Sequence, residues 1–140
     1  MDRRSFLRSA CQACAAAALV PVAVSLEGCS STNKLTLAPT DGVLEVPLTD
    51  LRPGATVIHA KGLSSKVIVQ QRTDGTYSAL AMNCPHKNGP VKFKEGDGFT
   101  CDWHGSTFDP NGKVLKGPAK QDLKNYPAEV VGTTLRIRVA

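Results

Sequence analysis

The stretch Lys66-Val67-Ile68-Val69-Gln70-Gln71-Arg72-Thr73-Asp74-Gly75-Thr76-Tyr77-Ser78-Ala79-Leu80-Ala81-Met82 reads as a β-hairpin. Both arms have strand length, and the first is rich in β-branched side chains that suit a pleated surface. Asp74-Gly75 between them is a tight-turn signal, since Gly adopts the left-handed backbone of a hairpin turn without steric cost. The same grammar extends outward. Val43 to Leu48 and Ala55 to Ala60 precede the hairpin, punctuated by Pro53-Gly54 and Gly62. Beyond it, Thr107-Phe108 and Lys113-Val114-Leu115 flank Asp109-Pro110-Asn111-Gly112, and Glu129-Val130-Val131 and Thr134 to Val139 flank Gly132-Thr133. No sustained helical periodicity and no internal repeat interrupts this pattern. The expectation is an all-β domain, an antiparallel β sandwich or barrel of about 100 residues.

Composition agrees. The chain has 140 residues, 41% apolar and 21% charged, with 12 Gly and 9 Pro, so one turn-rich globular domain is expected and disorder is excluded. The formal charge of +5 is partly an N-terminal matter, because Arg3, Arg4 and Arg8 fall within the first eight residues. With no basic helix and no interleaved aromatic set, nucleic-acid binding has no support. Nor is there a Ser-His-acid set or a phosphate-binding Gly loop.

A basic start, the uncharged run Ser9 to Leu26 and a small-residue end describe an export signal. Asp2-Arg3-Arg4-Ser5-Phe6-Leu7-Arg8 resembles the twin-arginine signal, which implies export of an already folded protein to the periplasmic side of a membrane. Leu26-Glu27-Gly28-Cys29 resembles a lipoprotein cleavage box except at Glu27, making Cys29 a candidate for lipid attachment. An uncleaved anchor, or cleavage nearby with Cys29 a bystander thiol, is the alternative. Cys11 and Cys14 lie inside the apolar segment without the context of a redox pair. The organisation read from the sequence is a signal over 1–28, a flexible polar tether over 29–40 and a β domain over 41–140.

Asn83 to Gly105 breaks the strand pattern as an irregular insert, and such inserts in small domains are usually functional. It carries Cys84-Pro85-His86 and, after fourteen intervening residues, Cys101-Asp102-Trp103-His104-Gly105. Two thiolates and two imidazoles in paired loops suit a tetrahedral zinc ion or a two-iron cluster with one iron on sulfur and the other on nitrogen. A Cys84–Cys101 disulfide is the plain alternative in an oxidising compartment. Each loop brings one Cys and one His, which favours the two-iron arrangement.

On these residues the chain resembles the Rieske iron-sulfur proteins, which bind a [2Fe-2S] cluster through Cys-x-His, a spacer and Cys-x-x-His. The resemblance extends through Gly105-Ser106-Thr107-Phe108-Asp109, Gly112-Lys113-Val114, Gly117-Pro118-Ala119 and the terminal Leu135 to Val139 strand. It implies a Rieske-type sandwich and one [2Fe-2S] cluster per chain. Cys84 and Cys101 would ligate the buried iron, and His86 and His104 the outer one. Around them, Gly105 closes the second loop, Ser106 matches a hydroxyl that donates to a bridging sulfide, and Gly117-Pro118 resembles the loop covering the cluster. Phe108 stands where the quinol-oxidising branch has a Tyr, and Gly89 and Trp103 stand where it has a disulfide, so Trp103 is expected to fill that space.

The resemblance further implies a one-electron carrier working with a cytochrome, an oxidoreductase subunit or a quinol. A subunit of a quinol:cytochrome c oxidoreductase or of an arsenite-oxidase-type enzyme is the near alternative, and a zinc or disulfide-stapled binding module the distant one. Lys87, Lys92, Lys94, Lys113, Lys116, Lys120 and Lys124 fall in or after the cluster loops, as a docking face for an acidic partner would require or as ordinary solvated residues. His59 reads as a surface or half-buried strand residue.

Overall fold

In the computed structural model, residues 33–140 are described, and the signal-like segment with Cys11, Cys14 and Cys29 lies outside them. The Asp74-Gly75 hairpin is central to the architecture. Its arms are β4 (Val67–Gln71) and β5 (Tyr77–Ala81), and β3 (Ala55–Ala60) pairs antiparallel with β4. At its turn Asp74 accepts hydrogen bonds from the Thr76 hydroxyl and N–H, which hold its carboxyl below the usual carboxylate range.

Two sides of this sheet are covered, which explains why β3 to β5 read as continuous apolar runs rather than alternating ones. On one face Ile58, Val67, Val69, Ala79 and Ala81 meet a second sheet formed by β2 (Val43–Pro47), β11 (Ala128–Val131) and β12 (Thr134–Arg138). That sheet contributes Leu44 and Val46 opposite Ile137 and Leu135, and together they close the sandwich core. On the other face Val57, Ile68 and Leu80 form a cross-strand row, paired Val57↔Ile68 and Ile68↔Leu80. Against this row packs a third layer.

The third layer is a departure from the sequence expectation. Asn83 to Gly105 is not irregular throughout, for it contains β6 (Val91–Lys94) and β7 (Gly98–Cys101), paired antiparallel. With β8 (Thr107–Phe108) and β9 (Val114–Lys116) they make a four-stranded sheet in the order β6-β7-β8-β9. Phe99 and Phe108 are cross-strand partners and bury completely onto Ile68 and Leu80 as part of one apolar cluster. The excursion then returns beside its start, because β10 (Asn125–Tyr126) pairs with β5 and the Ala81 N–H donates to the Lys124 carbonyl.

The tether expected over 29–40 is corrected at residues 33–37. Asn33–Leu37 forms a strand, β1, paired parallel with β3 from Asn33↔Thr56 to Leu37↔Ala60. Leu35 and Leu37 pack on the sandwich core while Lys34 and Thr36 stay exposed, so the segment alternates as a half-buried edge strand should. The sandwich is therefore antiparallel with one parallel edge.

Candidate metal centre

Two loops that repeat one backbone pattern sit at the end of the third layer. In the first, the Cys84 N–H donates to the Gly89 carbonyl and the Asn88 N–H to the Cys84 carbonyl. The second repeats this five-residue closure, with Cys101 N–H to Ser106 carbonyl and Gly105 N–H to Cys101 carbonyl. Both turns need a left-handed residue at the fourth position after Cys, supplied by Asn88 (φ 56°) and Gly105 (φ 71°), two residue types that tolerate it. The Val91 N–H donates to the Met82 carbonyl and closes the base of the first loop, while the Asp102 N–H donates to the Pro90 carbonyl and ties the second loop to the first.

This framework sorts the four candidate ligands by depth. Cys84 and Cys101 are 1% and 2% exposed, lie in the apolar cluster with Phe99 and Phe108, and are both free thiols. The disulfide alternative is thus not realised. His86 and His104 lie at the surface, with ring centroids 4.9 Å apart and planes at 88°. Buried thiols and exposed imidazoles thus form separate pairs. Among the described residues no three His, Cys, Asp or Glu side chains converge as one mononuclear ion would require. The donor set fits a two-metal cluster with sulfur on the inner metal and nitrogen on the outer one.

Around the pairs, Ser106 is fully buried, and its Oγ accepts a hydrogen bond from the Ala119 N–H at 3.0 Å. That leaves the Ser106 proton available to another acceptor, and the bond pins the Gly117-Pro118-Ala119 loop to the second ligand loop. Gly117 and Pro118 themselves are exposed, and Phe108 is wholly buried. Trp103 lies over Gly89 yet remains 57% exposed.

Some features were not found from the sequence. Asn88 in the left-handed region was signalled only by the Asn88-Gly89 dipeptide, a common turn pair. The ion pair between Lys92 and Asp102, 3.0 Å long, joins β6 to the second loop and removes Lys92 from the free lysines. Lys94 is likewise paired with Asp97, whose carboxylate raises the ammonium above its ordinary value. Lys124 stands over the Tyr126 ring at 4.8 Å. Lys87, Lys113, Lys116 and Lys120 are exposed. His59 stays half-buried in β3 opposite Thr36, away from the loops.

Comparison with known proteins adds four findings. A family model described as Rieske [2Fe-2S] domain matches residues 43–127. The chain is 32% identical over 77 residues to a cytochrome b6-f complex iron-sulfur subunit of Synechococcus sp. (strain JA-3-3Ab), covering 54% of this chain and 44% of that protein. It is 29% identical over 83 residues to the iron-sulfur subunit TsaM1 of a toluene-4-sulfonate monooxygenase system of Comamonas testosteroni, covering 54% of this chain and 24% of that one. These matches span less than half the length of either relative. Among solved structures, the ferredoxin of carbazole 1,9a-dioxygenase from Nocardioides aromaticivorans IC177 shares the fold, with TM-score 0.50, 23% identity, and coverage of 68% of this chain and 94% of that one.

Proposed function

The chain belongs to the Rieske [2Fe-2S] family, and on that premise we propose that it is a one-electron carrier holding one cluster per chain through Cys84, His86, Cys101 and His104. The observation that carries this reading is the segregation of donors, two buried thiols beneath two exposed, edge-to-face imidazoles. When bound, the cluster supplies reversible one-electron chemistry, and centres of this type span about −150 to +300 mV against about −400 mV for plant-type ferredoxins.

The chain's own residues do the rest. Burial of Cys84 and Cys101 among Val91, Phe99 and Phe108 keeps water from the thiolate side. His86 and His104 at the surface give an electron a short path to a docked partner. The Ser106 hydroxyl accepts from the Ala119 N–H and keeps its own proton free, which would donate to a sulfide of the bound cluster and stabilise the more negative reduced state. The proposed reaction is electron transfer between partners. The exposed Lys87, Lys116 and Lys120 around the ligand loops favour an acidic redox protein, a cytochrome or an oxidoreductase subunit, over a quinol.

The same proposal includes export by the twin-arginine route and attachment on the periplasmic side of a membrane through lipid on Cys29 or an uncleaved signal. Its support is the Arg3-Arg4 segment and the Leu26 to Cys29 box. Export already folded suits a cofactor inserted before transport.

Absorption, iron and acid-labile sulfide measured on full-length protein purified without chelators test the reading. Equimolar iron and sulfide with a visible charge-transfer spectrum is expected. A colourless zinc protein would overturn it.

A further inference from the structure

Eleven glycines lie among the described residues, and nine of them have positive φ, so backbone conformation alone explains their lack of a side chain. Gly117 has only ordinary contacts at 3.6 Å or more. Gly89 is different. Its backbone is one that other residues adopt, it is buried, and a Cβ built on it would lie 2.8 Å from Trp103 Cδ2, 2.9 Å from Cγ and 3.0 Å from Cε3. What forbids a side chain there is the indole laid flat against the backbone of the opposite ligand loop.

The contact is not isolated. Trp103 belongs to the second loop and Gly89 closes the first, where its carbonyl accepts the Cys84 N–H. Directly beside them the Asp102 N–H donates to the Pro90 carbonyl at 3.4 Å, and the Lys92 ammonium meets the Asp102 carboxylate at 3.0 Å. Indole on glycine, amide on carbonyl and ammonium on carboxylate all cross between residues 89–92 and residues 102–103. Cys84 and Cys101, the only cysteines among the described residues, are both candidate ligands, so no other thiol there is available to crosslink the loops.

We propose that Trp103 is a positioning residue, the flat half of a non-covalent clasp that closes on Gly89 and fixes the two ligand loops at the separation the cluster needs. The partial burial of Trp103 follows from this role, as does a buried glycine at position 89 where no positive φ demands one. Closing the loops through an aromatic face leaves both thiols free to serve as ligands. The proposal rests on the reading of these loops as cluster-binding, and the experiment separates the two.

Cluster loss under excess chelator, followed by bleaching of the visible absorption, is compared in wild type, Gly89→Ala, Trp103→Ala, the double variant and Trp103→Phe. EPR of the reduced protein is recorded for each. Gly89→Ala in the presence of Trp103 should accelerate loss about tenfold, and the same change in the Trp103→Ala background should be nearly silent. Trp103→Ala alone should also accelerate loss and broaden the EPR spectrum as the loops sample more geometries, while Trp103→Phe, which keeps a flat ring, restores most of the retention. Trp103 is mostly solvent-exposed, so its replacement leaves the sandwich folded. An equal penalty for Gly89→Ala in both backgrounds, wild-type retention in Trp103→Ala, or failure of Trp103→Phe to rescue would each overturn the clasp. Absence of iron and sulfide in the wild type would instead overturn the functional reading.

Discussion

The sandwich and the cluster layer of this molecule are built on different principles. The sandwich core joins twelve buried residues from both of its sheets, nearly all aliphatic, and needs nothing else to hold it. The cluster layer has a smaller buried set, of which Val57, Ile68 and Leu80 are lent by the sandwich and two more are the thiols of Cys84 and Cys101. Removing those five leaves Val91, Phe99, Phe108, Ala119 and Leu123 for a layer of four short strands. Apolar burial carries the first region, while the second has less of it and, on the proposed function, would depend on ligand bonds and loop ties as well.

The largest expected effect breaks this comparison open. Replacing Cys84 or Cys101 by Ala should abolish the cluster and release amide-exchange protection across residues 83–124 while the sandwich strands keep theirs. Hydrogen exchange by mass spectrometry, with iron analysis, reads both halves at once. Uniform loss, or no loss, would show that the two regions are energetically one.

Next in size is the hinge row between the layers. Leu80→Ala should cost about 2–5 kcal/mol and weaken both regions, since its side chain is fully buried in the cluster layer's core on a sandwich strand. Ile58→Ala, of similar cost, should spare cluster retention because Ile58 faces the other sheet. Denaturant melts and cluster absorbance followed together discriminate the two.

A smaller effect is electronic. Ser106→Ala removes the acceptor of the Ala119 N–H, a loss of about 1–3 kcal/mol for a buried unpaired donor, and removes a hydroxyl donor toward sulfur. The reduction potential should fall with the cluster retained, as voltammetry would show. A potential equal to or above wild type would contradict that role.

The smallest concerns the sandwich alone. Burial pushes the Tyr126 phenol above its ordinary value of 10.0, so the folded state holds this proton more tightly than the unfolded chain does. Its contribution is complete below about pH 10 and is lost as pH rises through the higher folded value. Alkaline melting should therefore be shallower in Tyr126→Phe, with no change near neutrality.

Much of this was legible in the residues. The β4–β5, β8–β9 and β11–β12 hairpins follow from Asp74-Gly75, Asp109 to Gly112 and Gly132-Thr133, because turn chemistry is local. The four candidate ligands were legible from residue type and spacing. Less local features were not. Val91-Lys92-Phe93-Lys94 does alternate, but four residues beside a metal-ligand motif read as loop, and β6 and β7 are strands only because each completes the other. β1 depends on the edge that β3 offers to it, and the alternation of Lys34 to Leu37 is too short to specify that parallel pairing alone. The contact of Trp103 with Gly89 joins residues on different loops, and only the folded backbone brings them together.

The central claim is that sulfur and nitrogen ligands are segregated on two irons. Pulsed EPR of the reduced cluster in protein carrying nitrogen-15 histidine tests it most directly. The account predicts couplings from two inequivalent histidine nitrogens, one lost in His86→Cys and the other in His104→Cys wherever those variants retain a cluster. A [2Fe-2S] signal without histidine coupling would contradict it.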